Sequence, residues 1–203
     1  MGEIDPSHAA VEAEAQLRWF HDATGRLPAW VDGHQHCHVV PQLSAVLART
    51  LSAAGVARTR IPHEEQLEGD TSIGLCPVCS VVSGEARQAR AVYTAHGVDA
   101  TARFVGLSLC GSAYSADKIA AAVAAQLTLG GDGVEIEVMV HPGGEAALGD
   151  QWDGFDASSD RQAELETLCS AALRERLLAL GELEWPVFRK GGTQTAYHLQ
   201  TED

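Results

Sequence analysis

The feature that most constrains this fold is the regular alternation of extended and helical segments along the chain. The clearest extended segment covers residues 134–140, where every second residue is valine or isoleucine. This period of two is typical of a strand. The segment follows a stretch with helical spacing that begins at the capping residue Ser115. Alternation of this kind predicts an α/β fold with a mainly parallel sheet, either open or closed into a barrel.

The same reading predicts the other elements. Helical spacing with start and stop residues predicts helices over 7–23, 41–54, 85–96 and 115–127, and one or two more over 158–180. Strand patterns predict extended segments over 30–40, 56–61, 101–109 and 185–188, and residues 62–83 are expected to be loop-like.

Charge and length limit the classes of partner. The 203 residues, a length that favours one domain, include 28 acidic and 14 basic side chains, for a net charge of −14. Such a surface repels phosphate groups, so we expect no nucleic acid and no anionic membrane as partner. No apolar run reaches the roughly 20 residues of a membrane span. The start of the chain has no secretory signal pattern, which predicts a cytoplasmic location.

Residues 32–38, which read Asp-Gly-His-Gln-His-Cys-His, form the densest group of chemistry-bearing side chains. In an extended chain alternate side chains share a face, so Asp32, His34, His36 and His38 would line one surface. Imidazole and carboxylate groups suit zinc or another divalent ion. The pattern predicts a metal-binding or catalytic strand. The alternative is a polar strand end with hydrogen-bonded histidines.

The segment at 25–41, GRLPAWVDGHQHCHVVP, closely resembles the YdjC-like carbohydrate deacetylases, a family that includes chitooligosaccharide deacetylases. Further matches follow in the family's order: EAEAQLRWF at 12–20, FVGLSLCG at 104–111, EVMVHPGG at 137–144 and SSDRQAELETL at 158–168. The match at 104–111 is close to animal members. The resemblance covers nearly the whole chain and implies a single domain over 1–203, folded as a parallel (βα) barrel or partial TIM-like barrel.

The resemblance implies a metal-dependent hydrolase that removes N-acetyl groups from acetylated amino sugars of the chito-oligosaccharide type. One divalent ion, magnesium or zinc, would activate water and polarise the amide. By the same resemblance His34, the first histidine of the motif, is a metal ligand. His36 and His38 would shape the pocket around it.

Other residues are then assigned to the chemistry and to the sugar. Catalytic roles are expected for His141, at the end of another strand, and for His36 and Asp32, either of which could replace a missing ligand. Sugar contacts are expected from His38 and from Trp152, an aromatic ring in a polar loop that could stack on a sugar.

The chain departs from the family pattern at Gly144, where the family usually has an aromatic residue, and in one larger respect. The family's first strand carries an Asp-Asp pair that supplies a general base and a metal ligand, and a later Gly-x-His strand supplies a second histidine. This chain has no Asp-Asp pair, so we expect an animal-type member that lacks the N-terminal third. Activity would then require the acidic pair to be supplied. The alternative is an inactive truncated form that acts only as an interaction protein, and a homodimer could cover an open sheet edge.

Two further kinds of site fit parts of the sequence. A His-x-His strand also marks amidohydrolase-type hydrolases, although the lysine and strand-end histidines of that group are not evident. Cys76 and Cys79 form a Cys-x-x-Cys pair that could be a redox pair or half of a zinc site, and the favoured interpretation is a variable loop insertion. The chain has no second such pair.

Overall fold

The computed structural model describes residues 4–67, 77–109, 114–131, 133–144, 158–181, 184–188 and 194–198. Trp152 and Cys76 lie outside these residues. The chain divides into two compact units. The first comprises Met1–Ser108 and Gly133–Val138, and the second comprises Leu109–Asp132 and Met139–Asp203.

The described residues of the first unit form three α-helices, and two of them begin and end within a residue of the predicted bounds. Helix α1 covers Pro6–Thr24, and the Asp5 carboxylate caps it by accepting a 2.8 Å hydrogen bond from the Ser7 amide. Helix α2 covers Pro41–Ala54 and ends at Gly55, whose φ of 80° is left-handed. The predictions at 7–23 and 41–54 are confirmed.

Helix α3 covers Pro77–Ala95 and therefore begins well before the predicted residue 85. The prediction of a loop up to residue 83 is wrong for 77–83. The helix starts earlier because it buries a stripe of side chains at helical spacing: Val82, Ala86, Ala89 and Tyr93. Packing of this stripe overrides the weak helix propensity of the serines and glycine in the first turns.

The parallel pairing expected from the sequence is present, but in short pieces. Strand β1 (Arg103–Val105) pairs in parallel with strand β2 (Ile136–Val138), and Phe104 lies opposite Glu137. Isolated parallel bridges join Val31 to Thr59 and Arg58 to Asp99. Extended segments that follow one another along the chain thus lie side by side. The sheets formed by the described residues have two strands each, and these residues do not form a closed barrel.

The predicted strand over 30–40 is wrong beyond its first residues. His34–Val39 form a 3₁₀ turn, the histidine segment, in which Gln35 (φ 49°) and His36 (φ 60°) are left-handed. Here the His38 side chain forms hydrogen bonds with the main chain of Gly33 and Arg60, and these take the place of strand pairing. Four groups on one strand face are therefore not what this segment presents.

Where the second unit is described, it contains three α-helices and a hairpin. Helix α4 covers Ala116–Thr128, α5 covers Asp160–Leu168 and α6 covers Ala171–Leu178. Strands β3 (Glu184–Phe188) and β4 (Gln194–His198) pair antiparallel. The helices predicted over 115–127 and 158–180 and the strand predicted over 185–188 are confirmed, whereas β4 was not predicted. Across the described part of the chain, no helix has the length and apolar character needed to span a bilayer.

Candidate functional site

His38 is the anchor of the histidine segment. Its ring is buried, with 3% of its surface exposed. Nδ1 accepts a 3.0 Å hydrogen bond from the Gly33 amide, and Nε2 lies 2.8 Å from the main-chain oxygen of Arg60. Since an amide only donates and a carbonyl only accepts, the ring is neutral with its proton on Nε2. Burial lowers the pKa of His38 and so favours this neutral form.

Two neighbours fix the backbone of the segment around His38. A Cβ atom at Gly33 would lie 2.8 Å from Cys37 Sγ and from two nitrogens of His38, so only glycine fits there. From α3, the fully buried Tyr93 hydroxyl donates a 2.9 Å hydrogen bond to the His38 carbonyl. Burial raises the pKa of Tyr93, which keeps this hydroxyl protonated.

The residues between these anchors are strained. A left-handed non-glycine residue costs about 1–3 kcal/mol and persists where its surroundings over-determine it. Gln35 and His36 are two such residues in succession. The His36 ring is half-buried and meets Phe104 edge-on, with centroids 6.5 Å apart and planes at 88°. His34 is exposed. The three histidines therefore occupy three different environments.

Arg60 joins this segment to β2 through a network of charges. Its Nη1 lies 2.5 Å from Asp32 Oδ2, and its Nε lies 2.5 Å from Glu137 Oε1. The guanidinium also lies over the Phe104 ring, 5.9 Å from the centroid. Burial raises the pKa of Glu137, and the contact with Arg60 opposes that rise. Asp32, predicted to be catalytic, is thus held in an ion pair.

Sequence reasoning missed Arg60 and Glu137. The signal that could have found them is a charged residue inside a predicted strand, Arg60 in 56–61 and Glu137 in 134–140, because a charge buried in a sheet needs a partner. Arg60 and Glu137 keep 19% and 16% of their side-chain surface exposed, which is low for charged groups. A charged residue that is expected to be partly buried predicts an ion pair, but the sequence does not show which residue of opposite charge is the partner.

Glu64 is a second functional candidate that the sequence did not reveal. Its side chain has no exposed surface. The carboxylate accepts hydrogen bonds from successive amides after β1, those of Gly106, Leu107 (2.7 Å) and Ser108 (3.2 Å). Three amides directed at one carboxylate satisfy a charge that would otherwise be costly to bury. Glu64 thereby fixes the turn that follows β1.

His141, the predicted catalytic histidine, belongs to the second unit. Its amide donates a 2.6 Å hydrogen bond to Oε2 of Glu164, a carboxylate on α5 with 2% exposure. The Gly143 amide donates a 3.1 Å bond to the Arg161 carbonyl, and a Cβ at Gly143 would lie 2.7 Å from Arg161 Nε. The His-Pro-Gly turn is therefore held against the start of α5.

The fit of this structure to a divalent ion is incomplete. Catalytic zinc sites use about three protein ligands. Among the described residues, no group of three or more His, Cys, Asp or Glu side chains is placed to hold a metal. The His38 nitrogens are bonded to main chain, and Asp32 is paired with Arg60. His34 is the exposed imidazole of the segment. The described residues therefore do not complete a metal site.

The chain is similar to one protein family and to several carbohydrate deacetylases. A family model described as YdjC-like protein matches residues 1–179. The chain is 38% identical to a human carbohydrate deacetylase over 87% of this chain and 57% of that protein. It is 35% identical to the mouse carbohydrate deacetylase over 89% of this chain and 61% of that protein.

A bacterial relative is more distant. The chain is 27% identical to a chitooligosaccharide deacetylase of Enterobacter sp. (strain 638), over 41% of this chain and 33% of that protein. The chain spans about three fifths of the length of the curated animal relatives it matches. No solved structure matches it. Because the family model covers most of its length, with the histidine segment inside the match, the chain belongs to the YdjC-like protein family.

Proposed function

We propose that this chain is part of a carbohydrate deacetylase. The reaction adds water across the N-acetyl amide of an amino sugar and releases acetate and the free amine. The observation that carries the proposal is the 38% identity to a human carbohydrate deacetylase over 87% of this chain. The name of the bacterial relative supports a chito-oligosaccharide as the substrate class.

The proposal gives the residues of the first unit separate tasks. His34 is proposed as a ligand of one divalent ion, magnesium or zinc, because its imidazole is exposed beside the anchored part of the segment. Such an ion, when bound, lowers the pKa of water and polarises a carbonyl. His36 is proposed as a proton-transfer group, oriented by Phe104. His38 and Asp32 orient the segment through Gly33 and Arg60.

His141 in the second unit is proposed to protonate the leaving amine or to hold the sugar. Its backbone is fixed by Glu164, and a fixed backbone limits the positions that the imidazole can reach. Trp152 remains the proposed stacking partner for the sugar. We also propose that the parallel extended segments belong to a partial (βα) barrel, because they are neighbours in chain order.

The test measures acetate released from a fully N-acetylated chito-oligosaccharide by a purified full-length protein that contains this chain together with the family's Asp-Asp strand. The protein is first treated with a chelator and then assayed with added Zn²⁺ or Mg²⁺. We expect metal-dependent release that falls at least about 100-fold in His34→Ala, because loss of even an outer partner of a metal ligand typically costs about 10–100-fold. His8→Ala, at an exposed position of α1, is the matched control and should keep wild-type activity.

Two results would contradict the proposal. If the folded full-length protein releases no acetate with either ion, this chain is not part of a deacetylase. If His34→Ala and His8→Ala are equally active, His34 is not a ligand. Zinc content measured on the same samples separates these two conclusions.

A further inference from the structure

Arg60 contacts the histidine segment from two directions at once. We propose that Arg60 is the positioning residue of this site: its side chain and its main chain hold the two ends of the segment and so set how His34 and His36 are presented. The proposal deepens the deacetylase function proposed above and rests on it for its biological meaning. Its structural content can be tested without any turnover.

The first contact is made by the guanidinium. Nη1 lies 2.5 Å from Oδ2 of Asp32, which directly precedes Gly33 and the segment. Nε and Nη2 each lie 2.5 Å from Oε1 of Glu137 on β2. The planar fork of arginine can bind two carboxylates in different directions, whereas a lysine ammonium is a point charge on a flexible stem. Glu137 and the Phe104 ring therefore orient the group that holds Asp32.

The second contact is made by the main chain. The Arg60 carbonyl accepts the Nε2–H of His38 at 2.8 Å, near the end of the segment. The Arg60 amide donates a 3.4 Å hydrogen bond to the Val31 carbonyl, just ahead of Asp32. One residue thus fixes the chain on both sides of Gln35 and His36.

These two residues need such anchors because they are strained. An isolated turn with two successive left-handed non-glycine residues relaxes toward ordinary dihedrals, since the strain of about 1–3 kcal/mol each is then not opposed. Loss of the Asp32 contact removes the side-chain support at the entry to the turn and leaves only main-chain bonds there, while the His38 contact still holds its exit. We therefore expect His34 and His36, more than His38, to change environment when the guanidinium is altered.

Arg58 provides a matched control in the same extended segment. It lies two residues before Arg60 and so points to the same face. Its guanidinium also binds two carboxylates, those of Asp99 at 3.1 Å and Glu135 at 2.5 Å. It lies over Trp30 rather than Phe104. Arg58→Lys therefore alters a comparable network whose partners, Asp99, Glu135 and Trp30, are residues outside the histidine segment.

The experiment compares the wild-type chain with Arg60→Lys and Arg58→Lys. Histidines are labelled with ¹³C, and the ¹H–¹³Cε1 signals of His34, His36 and His38 are recorded at one fixed pH. Urea unfolding of each variant measures the loss of stability. We expect Arg60→Lys to shift the His34 and His36 signals more than the His38 signal, and Arg58→Lys to leave all three near wild-type positions.

Unchanged His34 and His36 signals in Arg60→Lys would overturn the proposal, as would equal shifts in Arg58→Lys. If Arg60→Lys does not fold, Asp32→Ala replaces it, because this change at a half-exposed carboxylate removes the side-chain contact and leaves no acceptor in its place. The same two signals must then move. The signals are recorded without any turnover, so an absence of acetate release refutes the deacetylase function without touching this result.

Discussion

The Nε2–H group of His38 donates a 2.8 Å hydrogen bond to the main-chain carbonyl of Arg60, 22 residues further along the chain. The same imidazole accepts the Gly33 amide on its other side. Both ring nitrogens are therefore used within the protein, and His38 joins two segments of backbone. Of the three histidines in the motif, the most buried one holds the turn in place and the other two are more exposed.

The first prediction concerns the pH dependence of stability. Because burial lowers the pKa of His38 below its ordinary value of 6.5, the unfolded chain takes up a proton at higher pH than the folded chain. The stability that neutral His38 contributes is fully present above the unfolded pKa and is lost as the pH falls through the folded pKa. Urea unfolding over this acidic range should show the loss in the wild-type chain.

His38→Gln removes this titration and should flatten that part of the pH dependence, although it lowers stability at every pH. His8→Gln serves as the control, since His8 is exposed on α1 and should leave the slope unchanged. An identical slope in wild type and His38→Gln would show that another group is responsible.

The second prediction uses one substitution at two glycines. Gly33→Ala places a methyl group 2.8 Å from Cys37 Sγ and from the His38 nitrogens. Such overpacking costs about 1–3 kcal/mol in the free energy of unfolding. Gly84→Ala, inside α3 with no atom within 4 Å of the added carbon, should instead stabilise by about 0.5–1 kcal/mol. Chemical denaturation measures both, and the same sign at both sites would contradict the reasoning.

The third prediction concerns the buried carboxylate of Glu64. Glu64→Gln replaces a charged acceptor of three amides by a neutral one that also carries two donors. Hydrogen bonds to charged groups contribute about 1.5–3 kcal/mol, so we expect a loss of at least this size in unfolding free energy. Glu65→Gln, at the exposed neighbour, should change stability by less than about 0.5 kcal/mol. Equal effects at the two positions would argue against a role for the amide cluster.

The fourth prediction concerns Glu164 and the backbone of His141. Glu164→Ala removes the acceptor of the His141 amide, so exchange of that amide with solvent deuterium should accelerate and unfolding free energy should fall by about 1–3 kcal/mol. Glu166→Ala, two residues away at an exposed site of α5, is the control. Unchanged protection of the His141 amide in Glu164→Ala would show that α5 does not fix the turn.

Local patterns predicted the helices well where start and stop residues were present. Asp5 and Gly25 bound α1, and Ser115 caps α4 through its hydroxyl. The same approach placed the start of α3 too late, because Ser80, Ser83 and Gly84 are poor helix formers and only burial of the stripe beside them makes that turn helical. The strand predicted over 134–140 is present, but it covers only Ile136–Val138.

The sequence by itself determined the α/β alternation, most of the helices, the family resemblance and the residue types of the candidate site. Only the tertiary structure decided the shape of the histidine segment, which the sequence pattern predicts as a strand. Its turn depends on Arg60 and Tyr93, which are distant along the chain from His38. The partners of Asp32, Glu64 and His141 are likewise long-range. A local pattern records propensity and periodicity, whereas the pairing of buried charges and the support of strained residues depend on contacts that exist only after folding.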